Sequence, residues 1–182
     1  RERYRQQWGR PFDPDLRVRH FFGLLAEMNF ESLLAANGHV RIELTFAPYY
    51  GCMLNRPFAL RSGSDHHGIM EKTLGNLGLR SLHWAYACQC CGTFLTVARP
   101  DIVTPKVNAI MQGAAESGAE CIITACAMCH MNLEVRCTLK NPIPIFHFSE
   151  IISLAFGTRN SRNWFARHLI DPRPLLKSKG LA

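Results

Sequence analysis

The sequence predicts an α/β fold: a small parallel sheet with flanking helices and cysteine loops at the strand C-terminal ends. Three observations predict it. Short apolar runs of strand character alternate with segments of helical character, the pattern of strand–loop–helix units. Gly78, Gly118 and Gly157 stand just past three of the helical segments, where helices stop. Three strand candidates run directly into loops that carry Cys52, Cys90-Cys91 and Cys126.

In chain order, residues 1–15 are polar with two prolines and read as a linker or a broken element. Residues 16–34 read as one amphipathic helix. Residues 40–47 (VRIELTFA) read as a strand that runs into the loop Pro48-Tyr49-Tyr50-Gly51-Cys52. Residues 65–77 read as a helix, with Asp65 near its start. Residues 80–87 form a short strand ending in the loop Cys88-Gln89-Cys90-Cys91-Gly92. A helix over 101–117 leads to the strand 120–125 (ECIITA), which ends at Cys126. Residues 128–139 read as a helix, 144–146 as a short strand and 149–156 as a helix. Beyond Asp171 the chain (DPRPLLKSKGLA) reads as a poorly ordered tail. A short internal repeat relates Arg19-His20-Phe21-Phe22 to Phe146-His147-Phe148. It suggests the second half of a duplicated protein, with 1–39 a remnant of the preceding repeat, 40–160 the cysteine-rich domain and 161–182 a tail.

Of the 182 residues, 47% are hydrophobic and 19% charged, which excludes a disordered tail, a collagen-like fibre and a coiled coil. No window approaches the roughly 20 apolar residues of a membrane-spanning helix. The first ten residues lack a signal-peptide core, and residue 1 is not Met; a cytoplasmic protein, as a fragment or a processed product, is expected. Lys and Arg total 21 against 14 Asp and Glu, a net charge of +7. The basic residues are scattered and no aromatic–basic signature accompanies them, so no nucleic-acid partner is expected. Buried thiolates or an anionic small substrate are the alternative sinks for that charge.

Eight cysteines in a chain of this length are too few for a disulfide-stapled mini-protein, and their clustering points to metal or redox chemistry. Loops at the carboxyl ends of parallel strands converge in space, although they are far apart in sequence. Each cysteine loop also precedes a helix, whose N–H groups favour thiolate. A tetrahedral zinc site wants four thiolates, whereas Cys52, Cys90, Cys91, Cys126 and Cys129 make five, two of them adjacent. Adjacent cysteines project in different directions and suit different irons of one cluster. Zinc binding or unconnected buried thiols remain the structural alternatives.

The run Pro48-Tyr49-Tyr50-Gly51-Cys52 with Arg56-Pro57, then Cys90-Cys91-Gly92, then Cys126-x-x-Cys129 resembles the CCG cysteine-rich domain family. Within that family, the spacing Cys-x37-Cys-Cys-x34-Cys-x-x-Cys and Asn132-Leu133-Glu134 are similar to the B subunit of heterodisulfide reductase. The resemblance implies that Cys52, Cys90, Cys91, Cys126 and Cys129 bind one non-cubane 4Fe-4S cluster. It implies the iron-sulfur catalytic subunit, or its C-terminal half, of a complex that reduces or forms disulfide or persulfide bonds. The implied partners are a flavin-containing A subunit, the ferredoxin-like C subunit and an anionic thiol or disulfide substrate. The second cysteine interval is slightly short for the family, and the family's other cysteine set is absent. A non-catalytic electron-transfer module of a sulfur-oxidising or glycolate- or lactate-oxidising complex is the alternative. A zinc-stabilised binding module is the third reading.

No side chain beyond the cysteines is assigned a catalytic role. His130 and Arg56 are candidates for contacting cluster or substrate, each weighed against a plain surface role. Cys88 reads as a neighbour of the cluster, Cys121 as a buried small hydrophobe and Cys137 as a packing residue. His66-His67 reads as a solvated face, and His147 as a structural histidine.

Overall fold

A computed structural model describes residues 2–11, 13, 15–17, 19–52, 54, 67–157 and 161–181. Helix α1 (Glu2–Trp8) buries none of its residues. Helices α2 (Phe21–Glu27) and α3 (Phe30–Asn37) precede strand β1 (Thr45–Tyr49). Helix α4 (Ile69–Gly75) leads to β2 (Arg80–Ser81), and a 3-10 turn (Thr93–Leu95) leads to α5 (Pro100–Glu116). Strand β3 (Cys121–Thr124) feeds α6 (Ala127–Arg136), and β4 (Ile145–His147) feeds α7 (Phe148–Ala155). Helices α8 (Ser161–Phe165) and α9 (Arg173–Ser178) follow. Among the described residues, no helix is long and apolar enough to cross a membrane.

The sheet has the order β2-β1-β3-β4, and every pairing is parallel. Both faces are covered, as parallel sheets require. Side chains alternate along β3: Cys121 and Ile123 enter one core, Ile122 the other. The first core packs α2, α3, α4, α7 and Leu176 of α9, and contains Phe22, Phe46 and Phe146. The second packs α5 and α6 through Val107, Ile110 and Leu133.

Several elements differ from the sequence reading. The helix expected over 16–34 is two, because Asn29 caps a new start: its Oδ1 accepts from Ser32 N at 3.0 Å. The strand expected from residue 40 begins at Thr45. Residues 40–44 are extended, but Val40 N donates to Ala155 O and Ile42 N to Leu77 O instead of to a neighbouring strand. Pro48 and Tyr49, expected in a loop, end β1. The strand expected over 80–87 stops after Ser81. Leu82 N makes a last bond to Phe46 O, and then the Trp84 indole donates to Pro48 O at 2.8 Å. The helix expected over 65–77 is described from Ile69 and preceded by Gly68 at φ 78°; residues 65 and 66 lie outside the described residues. The expected tail is anchored. Leu176 is fully buried, and Lys179 Nζ lies 2.7 Å from Glu120 Oε1.

The repeat has a structural counterpart. His20 (φ −70°, ψ 141°) and His147 (φ −80°, ψ 140°) occupy the N-cap positions of α2 and α7. The two helices meet through Phe22 and Phe148, with ring centroids 4.8 Å apart.

Candidate iron-sulfur site

The chain runs from β1 to β2 on one side of the sheet, then to β3 on the other. A crevice therefore opens where β1 and β3 end, at the topological switch point. The three cysteine loops leave the sheet there. Tyr50 N and Gly51 N both donate to Ala87 O, at 2.8 and 3.2 Å, which ties the Cys52 turn to the Cys90-Cys91 loop. Ala125 N donates to Tyr49 O at 3.1 Å, which ties the third loop to the first. Gly51 adopts φ 68°, and a Cβ there would stand 3.0 Å from Cys129 Sγ. Only glycine takes this turn without strain or crowding of the sulfur.

The five expected sulfurs are brought together. Cys91 Sγ lies 3.5 Å from Cys129 Sγ. Cys129 also interacts with Cys126, and Cys52 with Cys90. The adjacent pair thus diverges: Cys91 points inward and Cys90 toward Cys52. Cys126 is the N-cap of α6. A hydrogen bond from Cys129 and the amides of Cys129 and Met128 bring its thiol down to about 6 against the effect of burial. Cys91 falls to about 7, chiefly through Cys129, with help from Thr93 N–H and Asn132. Cys129 is pushed far up because it donates to both, so it retains the shared proton. Burial, then the neighbouring Cys90, raises Cys52.

Supporting residues were not all visible in the sequence. Asn132 is fully buried, and its Nδ2 donates to Cys91 O at 2.9 Å. Fully buried Tyr49 lies beside the thiols; burial first, then Cys91 and Cys129, raise its hydroxyl far above the ordinary range. Cys88 contacts His67 Nε2 at 3.3 Å, and His67 is exposed, as expected of a solvated face. Cys121 is fully buried in β3. Cys137 caps the C-terminus of α6, and burial raises its thiol. His130 faces Glu134 Oε1 at 3.4 Å and the ring of His168. Arg56 and His66 lie outside the described residues.

Five soft sulfur donors on three loops, at the start of a helix, fit an iron–sulfur centre by their chemistry. The crowding fits as well. Three neighbouring thiols cannot all ionise unless cationic charge is placed among them.

Residues 46–134 match the family described as CCG: Cysteine-rich domain. The chain is 25% identical over 142 residues to the 8-methylmenaquinol:fumarate reductase membrane anchor subunit of Wolinella succinogenes, covering 72% of this chain and 50% of that protein. It is 24% identical over 131 residues to the B subunit of the ferredoxin:CoB-CoM heterodisulfide reductase of Methanosarcina mazei, covering 64% and 42%. It is 36% identical over 87 residues to lactate utilization protein A of an Exiguobacterium species, covering 45% and 35%. The matched segment thus spans half or less of each of these relatives. Residues 46–134 thus match the CCG cysteine-rich domain, and the chain is homologous to the B subunit of heterodisulfide reductase at about 24% identity.

Proposed function

We propose that Cys52, Cys90, Cys91, Cys126 and Cys129 hold one non-cubane 4Fe-4S cluster. On this reading the chain is an iron-sulfur oxidoreductase subunit, or part of one, that reduces or forms disulfide or persulfide bonds within a heterodisulfide reductase-like complex. The convergence of five sulfurs at the switch point of the sheet carries this reading. Such a cluster supplies one-electron chemistry when bound. The chain's own residues supply the rest. Cys126 and Cys91 are the thiols most ready to ligate, and Cys129 gives up the shared proton when the group is filled. Tyr49 and Asn132 pack the inner side and keep water from it.

The partners on this reading are a flavin-containing subunit, the ferredoxin-like subunit and an anionic thiol or disulfide. The division into 1–39, 40–160 and 161–182 belongs to the same proposal, with the matched His20 and His147 caps supporting an origin by duplication. The second reading is an electron-transfer module without its own substrate. It would belong to a larger oxidoreductase such as a lactate-oxidising complex, a setting that the likeness to lactate utilization protein A, at 36% identity over 87 residues, supports. Anaerobic purification with iron and sulfide analysis tests the cluster. About four irons per chain, with a paramagnetic signal altered by thiol substrate, supports the catalytic reading. Iron with clean redox cycling and no response to substrate supports the relay. Zinc on the cysteines without iron or sulfide defeats both.

A further inference from the structure

We propose that His130, Glu134 and His168 form a second metal site, for a divalent cation of the zinc class, with Glu150 orienting His168. The residues come from α6, from the segment after α8 and from α7. Glu134 Oε1 lies 3.4 Å from His130 Nε2 and 3.2 Å from His168 Nδ1. All three atoms are buried, and among the described residues none has a hydrogen-bond partner. The contacts are close enough for ion pairs but out of line for N–H donation. They match the ~3.3 Å edge of a tetrahedron whose metal–ligand bonds are about 2.0–2.1 Å.

The outer atoms of the same side chains are well engaged. His168 Nε2 lies 3.0 Å from Glu150 Oε1 in good hydrogen-bond geometry. Glu150 Oε2 in turn accepts from His147 N at 2.7 Å. Glu134 Oε2 accepts from Leu169 N at 3.1 Å. A carboxylate behind a ligating imidazole fixes its tautomer and its direction, which is the usual support for a metal-bound histidine. Ligand atoms of His130, Glu150 and His168 all lie within 4.8 Å of one another. The group is reached from solvent through a cavity of about 420 Å³ that Trp164 and Arg167 also line. Two imidazoles and one carboxylate, with a position open toward a cavity, form the donor set of an accessible zinc site. The site uses no cysteine, so it stands or falls independently of the iron–sulfur reading.

Titration with Zn²⁺ tests it, on the full chain loaded with iron and on a Cys126→Ser/Cys129→Ser chain. Both should bind one Zn²⁺, with an X-ray absorption shell of nitrogen and oxygen at about 2.0–2.1 Å. Glu134→Gln should weaken binding by at least about tenfold, and Glu150→Gln by roughly 10–100-fold. Zinc bound with sulfur at about 2.3 Å in the iron-loaded chain would overturn the proposal. So would no zinc bound by either chain, or an affinity that Glu134→Gln leaves unchanged. The iron content of the wild-type chain reports separately on the cluster, so failure of one reading is not mistaken for failure of the other.

Discussion

The face of α6 turned toward Cys91 carries Cys126, Cys129 and Asn132, while the face turned toward His168 carries His130 and Glu134. The first gathers groups that become anions when they ionise. Its thiols compete for one proton, which Cys129 keeps. The second gathers both signs. Burial would raise Glu134, but His130 and His168 bring it down to about 2. Burial would lower His168, but Glu134 and Glu150 lift it to about 9. An imidazolium between carboxylates balances its own charge. A nest of thiolates does not, and it reaches full ionisation only with cationic charge from outside. One helix thus presents a group that depends on inorganic charge beside one that stays intact with or without it.

The largest test of that contrast is Cys129→Ser. It removes the sulfur between Cys91 and Cys126 and should abolish bound iron and sulfide, while the imidazole face, which loses none of its proposed ligand atoms, should still bind Zn²⁺. Iron analysis and zinc titration on one preparation check both halves. Leu133→Ala should blur the contrast. Leu133 is fully buried between the two faces, and its loss should cost about 2–5 kcal/mol in a denaturant melt, weakening both sites together. The smallest effect lies away from both. Burial alone would raise Glu120, yet Lys179 and the amide of Thr45 hold it below its ordinary 4.5. Its contribution is therefore present above about pH 4.5 and lost as pH falls through the lower folded value. The pair is partly exposed, so acidification should cost under about 1 kcal/mol. Lys179→Ala should weaken that pH dependence in the melting curve, leaving the part due to the Thr45 amide, without changing iron or zinc content.

Much of the fold was legible because local signals and tertiary contacts agree. The helix expected over 101–117 is Pro100–Glu116, and the strand expected over 120–125 is Cys121–Thr124. The misplaced boundaries are those set by distant partners. Residues 40–44 alternate like a strand, with Ile42 and Leu44 buried between exposed Arg41 and Glu43, but their neighbours there are a turn and a helix end. The tail carried a signal that composition hid: Leu175, Leu176 and Leu181 pack on the core among prolines and lysines. The five cysteines could be read because Cys52 and Cys126 stand close behind β1 and β3, and Cys90-Cys91 lies in the long loop after β2. Glu150 and His168 could not, since no spacing announces that residues 18 apart will meet across α6. The four-residue step from His130 to Glu134 was the one local hint.

Only Ala125 and Cys126 separate the last residue of β3 from the first of α6. With so short a joint, the register of the strand dictates the rotational phase of the helix. One added or deleted residue would turn α6 by about 100° and carry Cys129 and His130 away from their partners together. Length at this joint is therefore as tightly constrained as the identity of Cys126, and natural indels should fall elsewhere on the chain.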